Sequence, residues 1–117
     1  METKTKVIVV DDEESICRNV EKILQKQDFE VTRATSAQDA LDKMAQDSYS
    51  LLISDIVMPG KNGLELLKMA KENWPLTKAI MMTAYASTET AMKAIRLGAL
   101  DYLPKPFTPD ELRGTVE

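Results

Sequence analysis

Apolar runs too short to be helices alternate along the chain with stretches in which apolar residues recur at helical spacing. Val7 to Val10 is continuous and β-branched, and Leu51 to Ser54 enters without any polar alternation. Such runs are strands covered on both faces, because a half-exposed strand would alternate apolar with polar positions. Lys78 to Thr83, carrying Ala79, Ile80, Met81 and Met82, predicts a third strand of this kind. Two weaker strands are expected at Glu30 to Arg33, signalled by Val31 and Thr32, and at Asp101 to Leu103.

Helical spacing fills the intervals. Ile16, Val20, Ile23 and Leu24 predict a helix running to about Gln27. Ser36 opens a second, with Asp39 three residues on in a capping-box arrangement and Ala37, Ala40, Leu41 and Met44 as the buried stripe. The pairs Pro59-Gly60 and Asn62-Gly63 turn the chain ahead of a third helix that carries Leu64, Leu67, Met69 and Ala70 and ends at Trp74-Pro75. Ser87 is the expected N-cap of a fourth helix, with Ala91, Met92, Ile95 and Leu97 apolar and Gly98 as its stop. Thr108-Pro109-Asp110-Glu111 combines an N-cap, a proline at the first helical position and a capping-box glutamate, so a fifth helix begins there. Met58, Met81, Met82 and Met92 are assigned to the core, and Cys17 to a small helix side chain.

Alternating strand and helix implies an α/β domain with a parallel sheet and helices on both faces. Doubly wound order with the first strand central is the expectation. A chain of 117 residues fits one domain with a real core. Its 44% hydrophobic and 29% charged content is that of an ordinary globular protein. Fifteen basic against nineteen acidic residues give a formal charge of −4, which argues against a nucleic-acid surface. One cysteine excludes an internal disulfide, and the absence of histidine removes His-dependent triads, His-ligated zinc and a phosphohistidine role. No stretch has the length of a membrane span or a signal-peptide core, so a cytoplasmic location is expected.

Ligands in an open parallel sheet sit at the carboxyl ends of the strands. Those ends would present Asp11 and Asp12, Asp55, Thr83 and Lys105 to one edge. Three carboxylates and one ammonium sum to −2. At about 4 Å and an effective dielectric near 20, each like-charge pair costs on the order of 4 kcal/mol. Either pKa values rise or a cation binds. An all-oxygen donor set favours a hard ion, Mg²⁺ above all. A carboxylate beside such an ion and a fixed lysine is a candidate nucleophile for phosphoryl transfer, forming an aspartyl phosphate. Thr83 can then answer with its hydroxyl, and Tyr102 can turn into the space it vacates.

The motifs Val-Asp11-Asp12-Glu, Ser-Asp55-Ile-Val-Met-Pro59-Gly-Lys-Asn-Gly63, Met-Thr83-Ala84 and Tyr102-Leu-Pro-Lys105-Pro106-Phe107 together resemble the receiver domain of two-component response regulators. The resemblance runs from about Lys6 to Leu112. It implies a (βα)5 flavodoxin-like fold with strand order 2-1-3-4-5. It implies Asp55 as the phosphoacceptor, and Asp12 as a direct Mg²⁺ ligand with Asp11 acting through water. The Val57 backbone carbonyl joins them as a ligand. It further implies Thr83 and Tyr102 as a switch pair, Lys105 as the contact to the phosphoryl group, and a cis Lys105-Pro106 bond. A sensor histidine kinase is the implied donor, and the face of helix four, strand five and helix five the implied route to self-association or an output domain. The segment from Ala94 to Phe107 resembles receivers joined to ATPase and DNA-binding modules, so transcription regulation is the expected output. The short fifth helix suggests the N-terminal part of a longer regulator. The domain is expected to be regulatory rather than an enzyme in its own right, promoting its own phosphorylation and a slow autodephosphorylation by water attacking beside Val57 and Tyr85.

Other functions fit less well. A flavin-binding domain would want a neutral, glycine-rich phosphate loop where Asp11-Asp12-Glu13-Glu14 stands. A haloacid-dehalogenase-like phosphatase would space its first two aspartates by one residue, and Asp11 and Asp12 are adjacent. The remaining alternative is a phosphorylation-independent interaction module of the same fold, which a Mg²⁺ titration followed by Trp74 fluorescence or NMR would separate.

Overall fold

The computed structural model describes residues 5–58, 62–84 and 87–116. The elements run β1 (Thr5–Val10), α1 (Glu14–Gln25), β2 (Phe29–Ala34), α2 (Ala37–Gln46), β3 (Leu51–Asp55), α3 (Gly63–Asn73), β4 (Lys78–Thr83), α4 (Thr88–Arg96), β5 (Asp101–Pro104) and α5 (Pro109–Val116). All strand pairs are parallel, and the sheet order is β2-β1-β3-β4-β5. This is the doubly wound order, with β1 interior and the order reversing beside it.

Strand pleating divides the core into two layers, because successive side chains point to opposite faces. Ile8, Val10, Leu52, Ala79 and Met81 pack with residues of α2, α3 and α4. Val7, Val9, Ile53, Ile80 and Met82 pack with Cys17, Val20, Ile23 and Leu24 of α1 and with Leu112 of α5. Val7 to Val10 have no exposed surface, and full burial of each such side chain contributes about 1.5–3 kcal/mol.

The helix ends follow the expected chemistry. Ser36 Oγ accepts from the Asp39 amide, and Asp39 Oδ2 accepts from the Thr35 amide. Asn62 caps α3 by accepting from the Glu65 amide at 2.9 Å. Thr108 and Glu111 form a reciprocal capping box at 3.1 Å each way. Gly98, at φ +106°, closes α4 in a Schellman arrangement in which the Ala99 amide donates to Ala94 and the Gly98 amide to Ile95.

Several expectations need correction. The first helix starts two residues before Ile16 and ends at Gln25. Asp28, at φ +65°, turns the chain into β2 without a glycine, a conformation that aspartate tolerates. Met58, Met81 and Met82 are buried as expected, but Met92 is 49% and Ile95 51% exposed. Helix α4 buries only Ala94 fully, so Met92 and Ile95 look outward while Leu97 still packs against the core layer. The expected turn over Pro59, Gly60 and Lys61, and Tyr85, lie outside the described residues.

Candidate functional site

The carboxyl ends of the strands converge. β1 stops at Val10, and the Asp11 amide is held by the Ala34 carbonyl of β2 at 3.1 Å. Asp11 has no exposed surface, whereas neighbouring Asp12 is exposed. Asp55 closes β3 and is 6% exposed. The Lys105 amide donates to the Thr83 carbonyl at 2.8 Å, which brings the lysine to the end of β4. Its ammonium then reaches Asp11 Oδ2 at 2.6 Å and Asp55 Oδ2 at 3.2 Å. The Lys105-Pro106 peptide is cis.

Two backbone amides complete the acids' hydrogen bonding. Glu13 N–H donates to Asp11 Oδ1 at 2.9 Å, and Val57 N–H donates to Asp55 Oδ1 at 3.3 Å. Glycine 63 allows the loop after β3 to fold back, its amide donating to the Ile56 carbonyl at 2.8 Å. A Cβ there would overlap the Asp55 carbonyl oxygen.

The electrostatics are those of a site short of positive charge. Burial pushes the Asp11 carboxyl above the ordinary carboxylate range, and the hydrogen bonds from Lys105 and the Glu13 amide offset this only in part. Burial works against the Lys105 ammonium too, but the Asp11 hydrogen bond and the charges of Asp11 and Asp55 outweigh it and hold the lysine above its usual value. Both shifts are upward, and burial decides Asp11 because it is fully enclosed. One carboxylate oxygen each from Asp11, Asp12 and Asp55 lies within 4.8 Å of the others. Three hard oxygens at that separation fit a divalent cation that keeps several water positions.

A cavity of about 490 Å³ opens on these groups, lined by Asp12, Asp55 and Lys105 together with Ile16, Asn19 and Phe107. The larger cavity, about 720 Å³, holds Phe29, Tyr49 and Trp74 at the opposite edge of the sheet, beside the first residues of β3 and β4. Size and chemistry disagree, and chemistry decides: the larger cavity contains none of the strand-end acids. Trp74 therefore sits far from the acids and is a poor reporter for a metal titration. Thr83 is 1% exposed. It lies on the same face of the sheet as Tyr102, because Tyr102 registers with Met81 and Thr83 stands two residues further along β4. The contributions of Ile16, Asn19 and Phe107 were not legible as site residues, since each reads as ordinary helix or loop composition. The Asp11-x-Glu13 spacing of an Asx turn was the one signal for the Glu13 amide.

Fold and site together define a class: a doubly wound α/β domain whose polar edge gathers three acids and a lysine. The chain belongs to the response regulator receiver domain family of two-component systems, whose sequence model matches residues 7–117. It is similar to the DNA-binding transcriptional regulator NtrC of Escherichia coli (strain K12), with 40% identity over 111 residues, 95% of this chain and 24% of that protein. The chain thus spans about a quarter of the length of the curated relatives it matches. Among solved structures it is similar to a CheY-like receiver domain protein from Methanospirillum hungatei JF-1, with TM-score 0.93 and 32% identity over 97% of this chain and 91% of that one. The beryllofluoride-activated NtrC4 receiver domain dimer matches with TM-score 0.90 and 33% identity over 95% of this chain and 92% of that one. No helix among the described residues is long and apolar enough to cross a membrane.

Proposed function

We propose that this domain is a phosphorylation-activated switch with Asp55 as its acceptor. An Asp55 carboxylate oxygen forms the new P–O bond, and the P–N bond to a phosphohistidine of a sensor kinase breaks, its electron pair returning to the imidazole nitrogen. Asp11, Asp12, Asp55 and the Val57 carbonyl would hold Mg²⁺. When bound, Mg²⁺ neutralises charge on the phosphoryl oxygens as it transfers. Lys105, already within 3.2 Å of Asp55, is placed to pair with a phosphoryl oxygen. The observation that carries this reading is the bridging of Asp11 and Asp55 by the Lys105 ammonium in a largely buried setting.

Phosphorylation replaces a charge of −1 by roughly −2 and adds three acceptor oxygens. The Thr83 hydroxyl turns toward them, and Tyr102 moves into the space this leaves. Reversing an equilibrium from 99:1 takes roughly 5.5 kcal/mol of differential stabilisation, which a few charge-assisted hydrogen bonds supply. The output leaves by the face of α4, β5 and α5, where Met92, Ile95 and Leu100 stand exposed. It takes the form of self-association, as in the NtrC4 dimer, or docking of an output domain. The likeness to NtrC supports transcription regulation in the cytoplasm, with the DNA-binding surface outside this domain. The test is phosphoryl labelling with acetyl phosphate, which Asp55→Asn is expected to abolish while retaining the fold.

A further inference from the structure

Helix α4 is thinly anchored. Among its described residues only Ala94 is fully buried, with Met92 and Ile95 about half exposed. Its position therefore depends more than that of α1, α2 and α3, each of which buries four residues, on the polar contacts at its N-terminus. Those contacts converge on one atom. Thr90 Oγ1 lies 3.1 Å from the Ser87 carbonyl, 3.3 Å from the Ser87 amide and 2.9 Å from Ser87 Oγ, completing the capping box of α4. It also lies 3.3 Å from the Tyr102 hydroxyl of β5.

A threonine hydroxyl has one proton to donate and two lone pairs. Four polar neighbours compete for three positions, so Thr90 cannot serve all of them at once. With its proton on the Ser87 carbonyl, Thr90 accepts the Tyr102 phenol only at the expense of Ser87. When the phenol leaves, the freed lone pair returns to Ser87 and the cap closes on itself.

We infer that Thr90 is a positioning residue that ties the Tyr102 ring to the N-terminal cap of α4, so that movement of the ring re-sorts the cap. This rests on the reading of Tyr102 as part of the switch, and deepens it: the tyrosine acts on α4 through the Thr90 hydroxyl. Ring packing against the sheet alone would leave the cap indifferent to it. Tyr102 is half-buried against the core layer that includes Ala94 and Met81, so its ring has a defined place to leave.

The test is ¹⁹F NMR of this chain labelled with 3-fluorotyrosine, the Tyr102 resonance being identified by its loss in Tyr102→Phe. Thr90→Val keeps the β-branched shape and removes the hydroxyl, Thr90→Ser keeps the hydroxyl, and Ser87→Ala removes the Oγ that competes with Tyr102 for the Thr90 lone pairs. In protein without phosphodonor, Thr90→Val is expected to move the Tyr102 resonance, with the released ring population rising about fivefold, the worth of one neutral hydrogen bond. Thr90→Ser is expected to leave it at the wild-type position, whereas Ser87→Ala, which removes a competitor for the Thr90 lone pairs, is expected to move it the opposite way, toward the docked ring. A Thr90→Val resonance that coincides with wild type, or a Ser87→Ala resonance displaced in the same direction as Thr90→Val, would overturn the inference. Acetyl phosphate added to the wild type tests the parent reading separately: failure to label Asp55 removes the phosphorylation switch, whereas the comparison of unphosphorylated variants still decides the role of Thr90.

Discussion

Lys105 and Asp11 stand 94 positions apart in the chain and 2.6 Å apart in the fold, ammonium to carboxylate. Asp11 has no exposed surface, so its charge has little water to fall back on. Removing one partner of a largely buried pair leaves the other uncompensated, at a cost of about 3 kcal/mol. Lys105→Met is accordingly expected to lower stability by that order when EDTA is present, and Mg²⁺ to restore much of it by supplying the missing charge. Urea unfolding in EDTA and in Mg²⁺ measures both. An unchanged midpoint in EDTA means that the ammonium does not stabilise the acids.

Gly63 opens α3 directly beside the end of β3, where an added Cβ meets the Asp55 carbonyl oxygen and the Ile56 Cα. Both obstacles are backbone, which cannot rotate away. Gly63→Ala is therefore expected to destabilise the domain by about 3 kcal/mol, the upper part of the range for overpacking, and to slow labelling of Asp55. Thermal unfolding and a labelling time course check the two halves. A variant with wild-type stability would show that the loop relaxes freely.

At alkaline pH two groups act in the same direction. Burial, with the Asp11 carboxylate adding to it, pushes the Cys17 thiol up to about 11 from an ordinary value of 9.0. Lys105 is held above 10.5 by Asp11 and Asp55 against the effect of its own burial. Between these limits the unfolded chain releases protons that the folded chain keeps, so stability falls as the pH rises. Cys17→Ala is expected to flatten the fall between pH 9 and 11 by about 2 kcal/mol, whatever it costs at neutral pH. Denaturant titrations at pH 8, 9, 10 and 11 read the slope, and identical slopes for variant and wild type would dismiss Cys17 as a contributor.

The sheet was legible because buried parallel strands need continuous apolar runs, and Val7 to Val10 and Leu51 to Ile53 have them. The meeting of Asp11, Asp12, Asp55 and Lys105 at one edge was legible from that alternation, since parallel strands place their carboxyl ends together. What sequence did not show was which of two adjacent aspartates turns inward; Asp11 and Asp12 are chemically identical in one dimension and opposite in exposure in three. Nor did it show the outward face of α4. A helical period locates an apolar stripe but not its partner, so Met92 looked like core. Thr90 gave no sign because its capping-box role and its contact with Tyr102 depend on where β5 passes the helix.

In the proposed switch, the lifetime of the phosphorylated state would depend on how well a water is oriented beside Asp55. Val57 is half exposed at the mouth of the cavity and can neither donate to a water nor accept from one through its side chain. A phosphorylated lifetime of minutes or longer is expected. Val57→Asn, which supplies an orienting amide, is expected to shorten it. Phosphate release after removal of the donor measures both, and turnover within seconds in the wild type would contradict the assignment of the water's path.

Phosphoryl labelling by acetyl phosphate, followed by intact mass and peptide mapping with and without Mg²⁺, tests the central claim most directly. The predicted result is a single phosphoryl group on Asp55 that appears in Mg²⁺, is lost in EDTA and is absent from a folded Asp55→Asn variant. Equal labelling in EDTA, or a label that persists when Asp55 is replaced, would contradict it.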